Sequence, residues 1–177
     1  MKEIDDSILN INTSGSRVLN FNAAEVSNED GGFCCIGLDN PKTSANVGSV
    51  LRAAGCFNVA MVAVSGRRYQ HSATDARKAY RNIPFLQVED LRSVIPFDCV
   101  PVAIDLIEGA TPLTEYKHPE RAFYIFGAED ATLGNRITGW CRDIVYIPTP
   151  VCLNLAATVN IVLYDRLAKT KSQNSNR

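Results

Sequence analysis

The chain reads as an α/β protein built on a mostly parallel sheet flanked by helices. Two observations predict this class. Short apolar runs of four to eight residues recur along the sequence and are nearly continuous in hydrophobicity, as strands covered on both faces must be. Helical patterns fill the gaps between them, and strand–helix alternation of this kind builds βαβ units. A length of 177 residues suits one domain with short tails.

Residues 1–32 are polar and turn-rich, closing on Asn28-Glu29-Asp30-Gly31-Gly32, and read as a peripheral arm. Phe33 to Leu38 is the first strand. Ser44 is placed to cap a helix from about Ala45 to Cys56, with Val47, Val50, Leu51 and Ala54 as its buried stripe. Val59 to Val64 is the second strand, and Ala73 to Arg81 and Glu89 to Ile95 are shorter helical candidates. Val100 to Leu106, Ala122 to Phe126 and Asp143 to Ile147 complete the strands. Leu153 to Lys169 is the longest helix, with Leu155, Val159, Val162 and Leu163 for burial. Residues 169–177 carry no large apolar side chain and read as a flexible tail, which leaves 33–168 as the folded domain.

Composition narrows the function. Eighteen Lys and Arg against nineteen Asp and Glu give a net charge of -1, which excludes a chain that binds nucleic acid by bulk charge but allows a local basic face. No apolar stretch approaches the roughly 20 residues that span a bilayer, and the acidic, mixed start is not that of a signal peptide. Six cysteines without a Cys-x-x-Cys pair, and only two histidines, argue against zinc and for reduced thiols in a cytoplasmic protein with no metal and no membrane partner. No Gly-x-Gly-x-x-Gly or Walker loop stands at a strand–helix junction.

In open parallel sheets ligands bind past the carboxyl ends of the strands, so the loops there hold the candidates. After the first strand, Gly48 lies one helical turn before Arg52, leaving open space beside the guanidinium, and Asn46 offers a donor and an acceptor near the helix start. The same residues read equally as a solvated arginine, a cap-region asparagine and a packing glycine. After the fourth strand, Gly127 permits close backbone approach and Glu129 can accept from a cation or hydroxyl, or is simply a solvated turn acid. After the last strand, Ile147-Pro148-Thr149-Pro150 stiffens the exit, Cys152 reads as a structural or ligand-lining cysteine, and Asn154 falls in the first turn of the long helix. Neither His71 nor His118 sits in a partner context for a Cys-His hydrolase. Arg67, Arg68, Arg77, Lys78 and Arg81, with one acid, Asp75, among them and interleaved with Tyr69, His71 and Tyr80, form the strongest basic patch, suited to phosphate contacts plus base stacking or to a plain solvated face.

Together the three loops resemble the SpoU-type, TrmH-like RNA ribose 2'-O-methyltransferases of the SPOUT superfamily. Asn46-x-Gly48-x-x-x-Arg52, Phe126-Gly127-x-Glu129, and Ile147-Pro148 followed by Leu153-Asn154 and a helix through Val162-Leu163-Tyr164 carry the resemblance, which spans about residues 33 to 168. The resemblance implies a SPOUT-type fold with a C-terminal deep trefoil knot, a homodimer, and S-adenosyl-L-methionine as cofactor. It implies methyl transfer to a ribose 2'-hydroxyl of tRNA or rRNA. Leu106, Gly127, Ile147, Cys152 and Leu153 are then expected to line the cofactor site, and Asn46, Arg52, Glu129 and Asn154 to form the polar catalytic set. A guanidinium is very hard to deprotonate, so Arg52 is expected to clamp substrate phosphate and developing alkoxide rather than act as base. A non-catalytic RNA-binding module on the same scaffold and a SPOUT base methyltransferase are the alternatives.

Overall fold

A computed structural model describes residues 9–11, 17–19, 32–68, 83–128 and 130–174. Two short strands, β1 (Leu9–Ile11) and β2 (Arg17–Leu19), pair antiparallel. The main body follows in the order β3 (Phe33–Asp39), α1 (Ser44–Cys56), β4 (Met61–Ser65), β5 (Phe85–Val88), a 3-10 turn (Leu91–Val94), β6 (Val100–Ile104), β7 (Thr111–Pro112), β8 (Arg121–Phe126), α2 (Gly134–Thr138), β9 (Asp143–Tyr146) and α3 (Leu155–Asn174). Strands β3 to β9 form one seven-stranded sheet in the order β5-β4-β3-β8-β6-β9-β7, with every neighbouring pair parallel.

The side-chain period of a strand splits the core in two. Ala122, Tyr124 and Phe126 of β8 face Val47, Val50, Leu51 and Ala54 of α1 and Leu155, Val159, Val162 and Leu163 of α3. Phe123 and Ile125 point the other way, against Leu91, Leu133 and Ile137. Each large side chain buried this way contributes roughly 1.5–3 kcal/mol of transfer free energy. Helices α1 and α3 therefore lie together on one face of the sheet.

A polar network docks α3 on that face. Arg166, only 4% exposed, donates from Nη1 to the Pro119 carbonyl at 2.7 Å and to Tyr124 Oη at 3.0 Å, and from Nη2 to the Glu120 carbonyl at 2.7 Å. Tyr124 Oη lies 2.6 Å from His118 Nδ1, and His118 Nε2 lies 2.9 Å from Asp165 Oδ2. The arrangement that satisfies every group has the Tyr124 hydroxyl donating to Nδ1 and Nε2–H donating to Asp165, which makes the imidazole neutral. Burial agrees, since it pulls the His118 pKa below its usual value against the opposing pull of Asp165.

Several sequence expectations are corrected. Ser44 is the first helical residue, not the cap; Thr43 Oγ1 accepts from Asn46 N at 3.3 Å and caps α1. The expected helix from Glu89 to Ile95 is the 3-10 turn, capped by Asp90. Helix α3 starts at Leu155 rather than Leu153 and runs past Lys169 to Asn174. Strands β5 and β7 were not expected. Both are sheet edges, where a strand needs little apolar surface, and β7 is a Thr-Pro dipeptide. The candidate helix from Ala73 to Arg81 lies outside the described residues. Among the described residues, no helix is long and apolar enough to cross a membrane.

Candidate active site

The carboxyl ends of β6, β8 and β9 open onto a cavity of about 520 Å3. The loop after β6 contributes Asp105 and Leu106, the loop after β8 contributes Gly127, Ala128 and Asp130, and the segment from Tyr146 to Leu153 closes the third side. Leu106, Gly127, Ile147, Cys152 and Leu153, drawn from three separated loops, all border this one space. Leu106 is 58% exposed although it is a leucine, because its side chain stands at the open side of the cavity rather than in the core.

Local chemistry sets these loops. Asp105 ends the apolar run of β6, and its carboxylate accepts from Leu106 N at 2.8 Å and Leu133 N at 2.7 Å. One side chain thereby ties the loop after β6 to the entry of α2. At Gly127 an added Cβ would lie 3.3 Å from Leu133 Cδ2 and 3.4 Å from the Ala131 carbonyl oxygen, so the turn after β8 is closed around a glycine. Thr149 Oγ1 donates to the Val151 carbonyl at 2.9 Å and folds the segment between Pro148 and Leu153 back on itself.

Asn154 caps α3, its Oδ1 accepting from Ala156 N at 2.9 Å, and its Nδ2 donates to Asn46 Oδ1 at 3.4 Å. The two expected asparagines therefore meet beside the cavity segment that ends at Leu153. Gly48 leaves open space, with no atom within 4 Å of an added Cβ, as the glycine–arginine spacing predicts. Arg52 stands exposed on the outer face of α1, does not border the cavity, and has no hydrogen-bond or ion-pair partner among the described residues. Within one chain the structure brings Asn46 and Asn154 together and leaves Arg52 apart from the cavity. Glu129 lies outside the described residues, as do Arg77, Lys78 and Arg81 of the basic patch.

The two described arginines of that patch differ. Arg67 is exposed. Arg68 grips Asp130 through two parallel bonds, Nη1 to Oδ1 at 2.9 Å and Nη2 to Oδ2 at 3.0 Å, and Lys42 Nζ lies 3.9 Å from the same carboxylate. The Arg68 hydrogen bonds hold the Asp130 carboxyl below its usual pKa.

Sequence reasoning did not single out Asp105, Asp130, Tyr146 or Thr149 for this cavity. Asp105 did carry a signal: a lone carboxylate interrupting an apolar run where a parallel strand ends. The cavity's described lining contains two carboxylates, Asp105 and Asp130, and no lysine, arginine or histidine. Arg68 and Lys42 offset the charge of Asp130, which leaves mainly apolar walls with the Asp105 carboxylate among them.

The model of the SpoU rRNA Methylase family matches residues 34–164, most of the chain and all three loops. The chain belongs to the SpoU rRNA methylase family. A curated relative, the 23S rRNA (guanosine-2'-O-)-methyltransferase RlmB of Acinetobacter baylyi, is 27% identical over 142 residues, which cover 73% of this chain and 57% of RlmB. Among solved structures, the SpoU methyltransferase AviRb from Streptomyces viridochromogenes superposes with a TM-score of 0.70 at 21% identity, covering 80% of this chain and 61% of AviRb. AviRb has also been solved with AdoMet, and that complex matches with a TM-score of 0.69. The A. aeolicus TrmH/SpoU tRNA modifying enzyme matches with a TM-score of 0.70 at 15% identity, covering 80% of this chain and 77% of that one. The chain thus spans less than two thirds of the length of RlmB and AviRb.

Proposed function

We propose that this SpoU-family chain is an S-adenosylmethionine-dependent methyltransferase that modifies a ribose 2'-hydroxyl of tRNA or rRNA in the cytoplasm. The observation that carries the reading is the convergence of the loops after β6, β8 and β9 on one cavity within the span that matches the family.

The cavity fits the cofactor. Its volume of about 520 Å3 lies within the usual range for small-molecule pockets, Leu106, Ile147 and Leu153 offer apolar walls for a purine, and the Asp105 carboxylate in the lining favours a cationic ligand. When bound, the cofactor supplies an electrophilic methyl group on a sulfonium centre. The chain's own residues do the rest. Leu106, Gly127, Ile147, Cys152 and Leu153 hold the cofactor, while Asn46 and Asn154 orient the ribose through their linked amides. Arg52 clamps the adjacent phosphate and the oxyanion that develops as the hydroxyl passes its proton to phosphate or water, and Glu129 orients Arg52 or Asn46. Orientation of this kind, with the attacking oxygen near about 3 Å, supplies much of the rate enhancement.

Arg52 can reach such a site when a second copy of the chain brings it there. Ala157, Ile161, Tyr164 and Ala168 form an exposed apolar stripe at helical spacing on α3, and Ala45, Ser49 and Arg52 are exposed on the neighbouring α1. A homodimer built on these helices covers the stripe and places Arg52 at an interface. The carboxyl-terminal segment from β9 to α3 threads through a loop as a deep trefoil knot. The methyltransferase domain spans 33–168, with 1–32 as an arm, and α3 carries the chain on past 168 to Asn174. Arg67, Arg68, Arg77, Lys78 and Arg81 contact RNA phosphates.

The test is isothermal calorimetry with S-adenosylmethionine, followed by incubation with bulk tRNA and rRNA and nucleoside mass spectrometry. The expected result is cofactor heat and a 2'-O-methyl nucleoside. A methylated base, or RNA binding without methyl incorporation, overturns it.

A further inference from the structure

The loop after β4 is locked in place by its own backbone. Asn40 N donates to the Ser65 carbonyl at 2.9 Å, and Gly66 holds φ +92 with an added Cβ falling 2.5 Å from Asn40 Oδ1, so no side chain fits there. Ser65 Oγ donates to Asp39 Oδ1 at 2.8 Å and fixes the same junction. From this junction Arg68 extends to Asp130, the acid that borders the cofactor cavity. The pair is exposed but shaped: two parallel N–H···O bonds fix the plane of the guanidinium, and the Arg68 side chain keeps 42% of its surface in solvent.

We propose that Asp130 is a positioning residue that presents Arg68 at the cavity's edge to grip an RNA phosphate next to the nucleotide being methylated, an inference that rests on the RNA-methyltransferase reading above. A free arginine near a surface samples many rotamers, and freezing it on binding has an entropic cost. A fork-held arginine has already lost that freedom, so a phosphate meets a guanidinium in a fixed plane. Lys42, 3.9 Å from the same carboxylate, adds positive charge at this edge, so the local field attracts a phosphate although Asp130 is anionic.

The proposal makes a prediction opposite to simple electrostatics. Deleting an acid beside an RNA-binding surface tightens RNA binding if charge alone matters. Here Asp130→Asn is expected to weaken binding of bulk tRNA or rRNA by about threefold to tenfold, measured by fluorescence anisotropy without cofactor, because Arg68 loses its fork. In an Arg68→Gln background the same Asp130→Asn change should tighten binding, since only its charge is then left to act. Arg68→Gln alone should reduce the salt slope of log K by about 0.7–0.9, one phosphate's worth. Arg68→Lys, which keeps charge and loses the fork, should bind more weakly than the parent. Tighter or equal binding by Asp130→Asn in the parent background, or the same sign of effect in both backgrounds, overturns the proposal even if the parent methylates RNA. If the unsubstituted protein binds neither RNA pool, the methyltransferase reading falls first and this inference with it.

Discussion

Asn154 Nδ2 donates to Asn46 Oδ1 at 3.4 Å, joining the cap of α3 to the first turn of α1 across 108 residues of chain. Asn154 also accepts from Ala156 N at 2.9 Å. The residue thus has a structural duty, starting a helix, and a duty at the site, holding Asn46. Serine caps helices as well as asparagine does but cannot reach Asn46. Asn154→Ser is expected to leave stability within about 0.5 kcal/mol and to lower methyl transfer at least tenfold, whereas Asn154→Ala should also lose about 1 kcal/mol by denaturant titration. Equal activity in the serine variant and the parent would remove Asn154 from the site.

Arg52 is exposed and bonded to no described residue, so within one chain its replacement breaks no hydrogen bond or ion pair. Arg52→Ala is expected to keep the parent melting temperature and calorimetric cofactor affinity while methyl incorporation into RNA falls by about two to three orders of magnitude, the scale seen when a transition-state donor is deleted. Undiminished turnover would refute the proposed phosphate and oxyanion clamp.

Asp105 bonds two backbone N–H groups from two loops of the cavity. Asp105→Ala leaves Leu106 N and Leu133 N without this partner, at about 1–3 kcal/mol for the loops together. The expected readout is a cofactor dissociation constant raised about tenfold or more, with a smaller fall in melting temperature. A fall in stability with unchanged cofactor affinity would make Asp105 a fold residue only.

His118 is held neutral by burial, with Tyr124 on Nδ1, Asp165 on Nε2, and Arg166 and Lys169 as the nearby cations. Its folded pKa lies below the ordinary value of 6.5, so below that pH the unfolded chain binds a proton that the folded chain refuses. Stability is therefore present above pH 6.5 and falls as pH drops toward the folded pKa. Denaturant titrations from pH 8 to 5 should show this loss in the parent and a reduced slope in His118→Gln. The same slope in both proteins would assign the loss to carboxylates.

The exposed stripe of Ile161 and Tyr164 predicts self-association. Analytical ultracentrifugation is expected to give a dimer for the parent and a monomer for Ile161→Glu with Tyr164→Glu. Both positions are exposed, so the double variant should fold. A monomeric parent would leave Arg52 without a route to the cavity.

The central strands were legible because their chemistry is blunt: residues 34–38 and 122–126 are buried on both faces, so no charged side chain interrupts them. The edge strands Phe85–Val88 and Thr111–Pro112 were not, since an edge can form with half its side chains in water. Thr43 rather than Ser44 caps α1 because either hydroxyl satisfies the local rule and only backbone geometry decides between them. Gly48, Gly127 and Asn154 could be picked out because they stand past the carboxyl ends of strands and within the motifs that carry the SpoU resemblance, although each residue type has ordinary uses there. Asp105 was legible only as a lone acid ending an apolar run; its partner Leu133, like the Arg68 partner of Asp130, is distant in sequence, and only the folded sheet brings each pair together.

The pairing at the middle of the sheet, Phe33 to Leu38 against Arg121 to Phe126, has a consequence for biosynthesis. The strand beside β3 is synthesised more than eighty residues after it, so a growing polypeptide carries one edge of β3 unpaired until β8 leaves the ribosome. Parallel pairing over such a loop is slow, because closure entropy comes before any contact is gained. Translation arrested before residue 121 should therefore yield an aggregation-prone fragment, and chaperone demand should end only when β8 arrives.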